Sequence, residues 1–353
     1  MKKISALTSI KYYFCFALFN GFEMQGNEIF TPESIRNFAN SFQQSRVLLT
    51  AIELDLFSVI DNHLMLPADV ARILGTDERA TDRFMNALVA LGFLKKLHGK
   101  FYNTESSKKY FIKGKPEYMG SLHHTNHLWD SWSTLTDAVK EGTSIYKKNN
   151  YKKESWQENF ISAMHYRAQH EAKIISLMLD LSNVKKMLDI GGGSGAFTYE
   201  FMSKNPGMKG VIFDLPDIIP LTKKYAEQSN MLNNVEFIEG DYLTDSFGTG
   251  YDLMLLSAIV HINSYEQNKQ LIAKCANTLN NGGQIIIRDF IMKDDRTEPL
   301  SGTLFALNML VGTERGDTYT EEEIREWFKS SGISRIERKN TSFGSNLLIG
   351  IKN

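Results

Sequence analysis

The sequence predicts an α/β protein: a mostly parallel sheet with an antiparallel C-terminal strand, preceded by a helical, winged-helix-like domain. Three observations carry that expectation. From residue 184 onward, short apolar runs suited to buried strands alternate with helical stretches. A glycine-rich turn, Asp189-Ile190-Gly191-Gly192-Gly193-Ser194-Gly195, joins the first of those strands to a helix. Residues 67–102 read as two short helices followed by a hairpin.

The chain opens on Lys2 and Lys3, ahead of an apolar stretch that ends near Phe22. That outline resembles a signal peptide, but Lys11 interrupts it and no A-x-A site follows. It is also too short and too interrupted for a membrane-spanning helix. Residues 1–30 are read instead as an N-terminal extension: translated sequence upstream of a start at Met24, or a helical arm packing on a partner subunit. Phe38, Phe42, Ser45, Leu49, Ile52 and Leu56 alternate by four and three, which predicts one helix face. That face is a core stripe or a seam shared with a second subunit.

Residues 67–74 read as a helix closed by Gly75, and Thr76 or Asp77 can cap the next one. The second helix is expected to bury Ala80, Phe84, Ala87, Leu88 and Leu91 and to stop at Gly92. Residues 93–97, a His98-Gly99 turn and Phe101-Tyr102 then form the hairpin. Folds of this shape often bind DNA. Here the second helix opens with Asp77, Glu78 and Asp82 against Arg79 and Arg83, whereas a helix facing phosphates should be more basic. Lys95, Lys96 and Lys100 keep the idea open, but a solvated charged face is the preferred reading.

Residues 118–181 read as helices. Within them stand His123, His124, Asn126, His127 and Trp129. His123 and His127 can share a helix face, but no H-E-x-x-H pattern accompanies them. A wall of a substrate pocket or plain helix packing is preferred, and no metal is assigned. Strands follow at residues 184–188, 210–214, 235–238, 251–256 and 284–289, with crossover helices near 221–228 and 265–279. Thr320-Glu321-Glu322-Glu323 is a capping box opening a last helix that buries Ile324, Trp327 and Phe328. Residues 333–338 and 347–352 finish the chain as strands. The expected division is an extension (1–30), a winged-helix-like domain (31–112), linking and pocket helices (113–182) and a sheet domain (183–353).

Bulk properties narrow the partners. A length of 353 residues with 42% hydrophobic side chains suits one large domain plus a smaller one. A net charge of -1 gives no general attraction to nucleic acid or an anionic membrane, so neither is expected as a partner. Cys15 and Cys275 stand in unlike settings and form no disulfide framework, which makes a cytoplasmic location the expectation.

In an open α/β sheet, ligands sit beyond the carboxyl ends of the strands. A glycine turn there lets a ligand approach the backbone and presents helix N-terminal N–H groups. The glycines run G-x-G-x-G rather than the G-x-G-x-x-G of dinucleotide folds, and Asp189 stands two residues before the first. A carboxylate there disfavours pyrophosphate and suits a cationic ligand such as S-adenosyl-L-methionine, with its ammonium and sulfonium. Asp214, closing the second strand, can accept both ribose hydroxyls; Asp241, after the third, can accept the adenine amino group, with Tyr242 packing on the ring. Ser257 and His261 follow the fourth strand. Each alone could be a helix cap; together at one edge they mark a site.

On these residues the chain resembles the class I S-adenosyl-L-methionine-dependent small-molecule O-methyltransferases, the group that includes plant phenolic, acetylserotonin and bacterial polyketide enzymes. The matching pieces are the Asp189–Gly195 turn, Phe213-Asp214-Leu215-Pro216, Gly240-Asp241-Tyr242, Leu256-Ser257-Ala258-Ile259-Val260-His261 and Gly312-Thr313-Glu314-Arg315. The resemblance runs from about Ile35 to the C-terminus. It implies a Rossmann-like class I methyltransferase sheet, with the winged-helix-like part serving homodimerisation instead of DNA binding. It further implies His261 as the general base, Asp289 and Glu314 as acids flanking it, and Gly191, Gly193, Asp214, Asp241 and Tyr242 at the cofactor; Asp189, Leu215 and Ser257 are expected beside them, Ser257 standing where some plant relatives use a lysine. Asn126, Trp129, Met164, Asn308 and Met309 are expected along the substrate pocket. One departure stands out: many relatives carry Asp-Trp directly after the histidine, with the tryptophan near the cofactor, and this chain has Ile262-Asn263.

The chemistry agrees with those roles. A phenol, with a pKa of about 10, is a poor nucleophile while protonated, and histidine, at about 6.5, can take its proton. A carboxylate on the other ring nitrogen fixes the tautomer and raises basicity. The expected function is methylation of a hydroxyl on an aromatic or polyketide-like small molecule. C- or N-methylation or a non-methylating reaction on the same scaffold is the alternative, and a winged-helix regulator the more distant one.

Overall fold

The computed structural model describes residues 30–146 and 153–353. The expectations for the N-terminal extension lie, up to residue 29, outside the described residues. The chain divides between Leu48 and Leu49 into two compact units. In the first, Thr31 caps the helix Pro32–Asn40, whose residues are all outside the core; Ile35 and Phe38 are among its exposed side chains. The expected single helix through Leu56 is three. A break at Ser41, whose hydroxyl donates to the Phe38 carbonyl at 2.7 Å, separates Pro32–Asn40 from Phe42–Glu53. Asp55, in the left-handed conformation at φ 54°, then opens Leu56–Ile60. Of the predicted stripe, Leu49, Ile52 and Leu56 are buried, while Phe38, Phe42 and Ser45 are exposed. Hydroxyl-to-carbonyl bonds of this kind compete with the helix ladder, which is why the 3–4 periodicity outruns the helix that carries it.

Two helices and a hairpin form over residues 67–103. Helix Pro67–Leu74 ends on Gly75, and Asp77 caps Glu78–Ala90 by accepting from Ala80 N at 2.8 Å. The buried face of that second helix is Thr81, Met85 and Leu88, one position on from the predicted stripe, with Ala80 exposed. Strands β1 (Leu94–Leu97) and β2 (Lys100–Asn103) pair antiparallel across His98-Gly99, both at positive φ as a two-residue hairpin turn demands. Met65 exchanges both backbone hydrogen bonds with Phe101, adding a third short rung. Lys96 on β1 turns back onto the second helix, with Nζ 2.8 Å from Asn86 Oδ1 and 3.4 Å from Asp82. Helices Leu122–Trp132, Leu135–Glu141 and Lys153–Met178 follow.

The sheet has seven strands. Those in chain order are β3 (Lys186–Ile190), β4 (Lys209–Asp214), β5 (Val235–Glu239), β6 (Tyr251–Ser257) and β7 (Leu279–Asp289). After a small pair, β8 (Ile291–Met292) with β9 (Tyr319–Thr320), come β10 (Arg335–Lys339) and β11 (Asn346–Ile351). The spatial order is β10-β11-β7-β6-β3-β4-β5, parallel from β7 to β5 and antiparallel at β11 and β10. The strands read as apolar runs because both faces are covered. Leu188, Ile190, Met254 and Leu256 enter one core with Trp327 and Phe328; Met187, Ile212, Leu253 and Leu255 enter the other with Phe197 and Phe201. Chain order reverses at β3, which lies between β4 and β6, so the crevice of this sheet opens at the end of β3. Among the described residues no helix is long and apolar enough to cross a membrane.

Candidate active site

The glycine turn leaves β3 and enters helix Ala196–Lys204 with Gly191, Gly193 and Gly195 all at positive φ. A Cβ on Gly191 would lie 2.3 Å from Ile259 Cδ1, and one on Gly195 2.5 Å from the Tyr199 ring, so neighbours as well as dihedrals keep the turn bare. Asp189 sits beneath it, 2% exposed, accepting from Thr198 Oγ1 at 2.8 Å. Burial pushes its pKa up to about 7, with Asp214 adding to the rise. Asp214 closes β4 and accepts from Gly193 N and Leu215 N, both at 2.8 Å. Burial raises its pKa and those two N–H groups oppose the rise. Leu215, exposed, follows it.

Asp241 is exposed after β5 and accepts from Leu243 N at 2.8 Å. Tyr242 is half-buried, donates its hydroxyl to Asn263 Oδ1 at 3.0 Å, and burial pushes its pKa up to about 12. Ser257, ending β6, accepts from Arg288 at 3.2 Å. Arg288 is itself buried on β7, paired with the buried Glu171 of helix Lys153–Met178, which also receives Arg167 at 2.7 Å. Burial lowers the Arg288 pKa to about 10.

His261 follows β6 on a short 3-10 turn, Val260–Ile262, reached through Ala258 at φ 60°. A non-glycine residue in that region is strained, and here the strain lies beside the imidazole it turns back over the strand ends. His261 Nδ1 lies 2.9 Å from each carboxylate oxygen of Asp289, the last residue of β7. Both side chains are buried. Nδ1–H donates to the carboxylate, and in the neutral ring of that tautomer Nε2 is the acceptor. Phe305 of helix Leu300–Gly312 meets the imidazole edge-on at 4.8 Å, and Phe290 packs on Phe305 at 4.6 Å.

Glu314 does not join this pair. Its side chain is 86% exposed and lies 3.7 Å from Arg315, and among the described residues no hydrogen bond links it to His261. The loop itself does reach the histidine, but through backbone: Asp317 N donates to His261 O at 3.0 Å, and Gly316 packs on the same carbonyl. The expected flanking role of Glu314 is not borne out, because the loop turns its acid outward.

On the other wall, Asn308 accepts from Trp132 Nε1 at 2.9 Å, joining helix Leu300–Gly312 to helix Leu122–Trp132. Met309 is buried, Met164 and Trp129 half-buried. Asn126 Oδ1 and His124 Nδ1 are buried atoms with no hydrogen-bond partner among the described residues. His123, by contrast, shares a 3.0 Å hydrogen bond with the Tyr118 hydroxyl. Sequence reasoning missed Phe305, the Arg288–Glu171 pair, and His165, whose Nδ1 lies 2.8 Å from Ser194 Oγ in the glycine turn. None of these carries a local signal; each meets its partner from a distant stretch of chain.

Comparison with known proteins fixes the class. A family model described as an O-methyltransferase domain matches residues 132–334, and one described as an O-methyltransferase dimerisation domain matches residues 37–113. The chain belongs to this O-methyltransferase family, whose reaction is S-adenosyl-L-methionine-dependent methyl transfer. It is 27% identical over 330 residues to a 3-hydroxy-5-methyl-1-naphthoate 3-O-methyltransferase of Streptomyces sahachiroi, covering 91% of this chain and 95% of that one. It is 29% identical over 341 residues to the acetylserotonin O-methyltransferase of Gallus gallus, covering 91% and 97%. The crystal structure of human N-acetylserotonin methyltransferase in complex with S-adenosylmethionine superposes with a TM-score of 0.80 at 26% identity, covering 93% of this chain and 99% of that one.

The residues at the crevice fit the cofactor. At Gly193 an added Cβ would meet nothing closer than Ile161 Cδ1 at 3.6 Å, so that side of the turn has room for a ligand against the backbone. Asp214 and Asp241 keep lone pairs beyond the backbone N–H groups they accept, which suits the hydroxyl and amino donors of an adenosyl group.

Proposed function

We propose that this enzyme methylates a hydroxyl on an aromatic or polyketide-like small molecule, with His261 as general base and Asp289 holding it. The single observation that carries this reading is the buried His261–Asp289 contact at the end of two adjacent strands. S-adenosyl-L-methionine, when bound, supplies an electrophilic methyl carbon on its sulfonium. Gly191 and Gly193 give it room; Asp214 with Leu215 would hold the ribose, Asp241 and Tyr242 the adenine, and Asp189 and Ser257 would support the turn and β6 from within. His261 Nε2 accepts the proton of the acceptor hydroxyl, and Asp289 stabilises the imidazolium that results. Phe305 and Phe290 keep water from that proton and offer an aromatic face to a ring-bearing acceptor.

Asn126, Trp129, Met164, Asn308 and Met309 form the acceptor side. Support comes from the Trp132–Asn308 bond, which ties their two helices together, and from Phe305, which carries one of those helices onto His261. The enzyme acts as a homodimer through its N-terminal region; the exposed Phe30, Ile35, Phe38 and Phe42 of the first compact unit suit such a contact. The test is His261→Gln: S-adenosylhomocysteine should bind as in the wild type while methyl transfer to a phenolic acceptor panel is lost. Unchanged turnover would remove the base assignment.

A further inference from the structure

Where many relatives carry a tryptophan two residues after the base, this chain has Asn263, and the structure gives it a specific task. Asn263 is 3% exposed and its amide is fully engaged on two sides. Oδ1 accepts from the Tyr242 hydroxyl at 3.0 Å, and Nδ2 donates to Asn268 Oδ1 at 3.0 Å. Asn268, wholly buried, passes the chain on: its Nδ2 donates to the Val260 carbonyl at 2.7 Å. Val260 is the residue directly before His261, in the same 3-10 turn. Tyr319 Oη donates to the Asn263 carbonyl at 2.6 Å and fixes the backbone at the middle of the relay.

We propose that Asn263 is a positioning residue that locks the adenine-side Tyr242 and the His261 turn into one hydrogen-bonded unit, so that cofactor seating and base alignment are set together. The proposal rests on the reading above that Tyr242 lies against the cofactor. The relay costs little to hold only while every member is satisfied: removing one end leaves a buried amide or phenol without a partner. Tyr242 and Asn263 lie on different strand-end loops, 21 positions apart. Among the described residues no backbone hydrogen bond joins those two loops, and the Tyr242–Asn263 side-chain bond does. An asparagine does this where a tryptophan cannot, because its amide donates and accepts at once.

The experiment uses the full chain and needs no acceptor. S-adenosylhomocysteine affinity is measured by calorimetry for the wild type, Tyr242→Phe, Asn263→Ala and the double variant. The His261 ring resonance is followed by NMR in histidine-labelled protein with and without that ligand. Tyr242→Phe keeps the ring and the fold and loses only the bond to Asn263. Each single variant should weaken binding about 10-fold, the double no more than the worse single, and the ligand-induced His261 shift should shrink in all three. Wild-type affinity in Tyr242→Phe, fully additive losses in the double, or an unaltered His261 shift would each overturn the relay. Gly193→Val is the separating control. If it too binds as the wild type, the glycine turn is not the cofactor site and the underlying reading fails; if it alone loses binding, only the relay fails.

Discussion

The His261–Asp289 pair at the strand ends and helix Leu122–Trp132 treat their polar groups differently. At the strand ends, His261 is held by both oxygens of Asp289, and Asn263 and Asn268 continue a satisfied network beneath the same turn. On helix Leu122–Trp132, His124 Nδ1 and Asn126 Oδ1 are buried without a hydrogen-bond partner among the described residues. Unsatisfied buried polar atoms cost free energy, so native structures keep them chiefly where something else completes them. On the proposed reading the difference separates two jobs: the His261 turn is held by its own side chains, whereas the helix wall is completed by the acceptor.

Breaking the His261 side should cost most. His261→Gln removes the base and should lower kcat by about 10² to 10⁴, the usual contribution of a positioned general base, with S-adenosylhomocysteine affinity unchanged by calorimetry. Asp289→Asn should follow, losing about 10²-fold in kcat, because an amide lets the ring adopt the wrong tautomer. The helix side should answer differently: Asn126→Ala should raise the acceptor KM about 3- to 10-fold while kcat stays close to wild type, the cost of one hydrogen bond to a ligand. A fall in kcat with KM untouched would place Asn126 in the chemistry and erase the contrast. Glu314→Gln, far exposed, should leave kcat within about twofold, since an exposed charge contributes little; a large loss would return the acid to the base.

The smallest effect concerns stability. Burial, with His127 nearby, lowers the His124 pKa to about 4, below the ordinary histidine value of about 6.5. Between those values the unfolded chain binds the proton more tightly than the folded one. Wild-type stability should therefore fall as pH drops from about 6.5 toward 4. His124→Gln removes that contribution, so its melting temperature should decline less steeply between pH 7 and pH 5.

Much of this architecture was legible in the sequence because its causes are local. The Asp77 cap, the His98-Gly99 hairpin turn and the Thr320–Glu323 capping box each formed from neighbouring residues. The acids at the ends of β3 and β4 follow from strand periodicity and the glycine turn alone. What escaped depends on contacts between remote segments. The helix Glu78–Ala90 rotated its buried face by one position because 3–4 spacing fits either stripe and tertiary packing decides. Glu314 stands in its motif, yet the turn of its loop, set by Gly316 against the His261 carbonyl, directs the carboxylate to solvent. Asn263 read as a departure from a family pattern; only the fold reveals that Tyr242 and Asn268 reach it from either side.

The most direct test of the account is single-turnover methyl transfer with a phenolic acceptor, followed as S-adenosylhomocysteine formation across pH for wild type and His261→Gln. The wild-type rate should exceed the variant rate by at least about 10²-fold at each pH, while both proteins bind the cofactor. A variant that binds cofactor, turns over at the wild-type rate and keeps the same pH profile would contradict it.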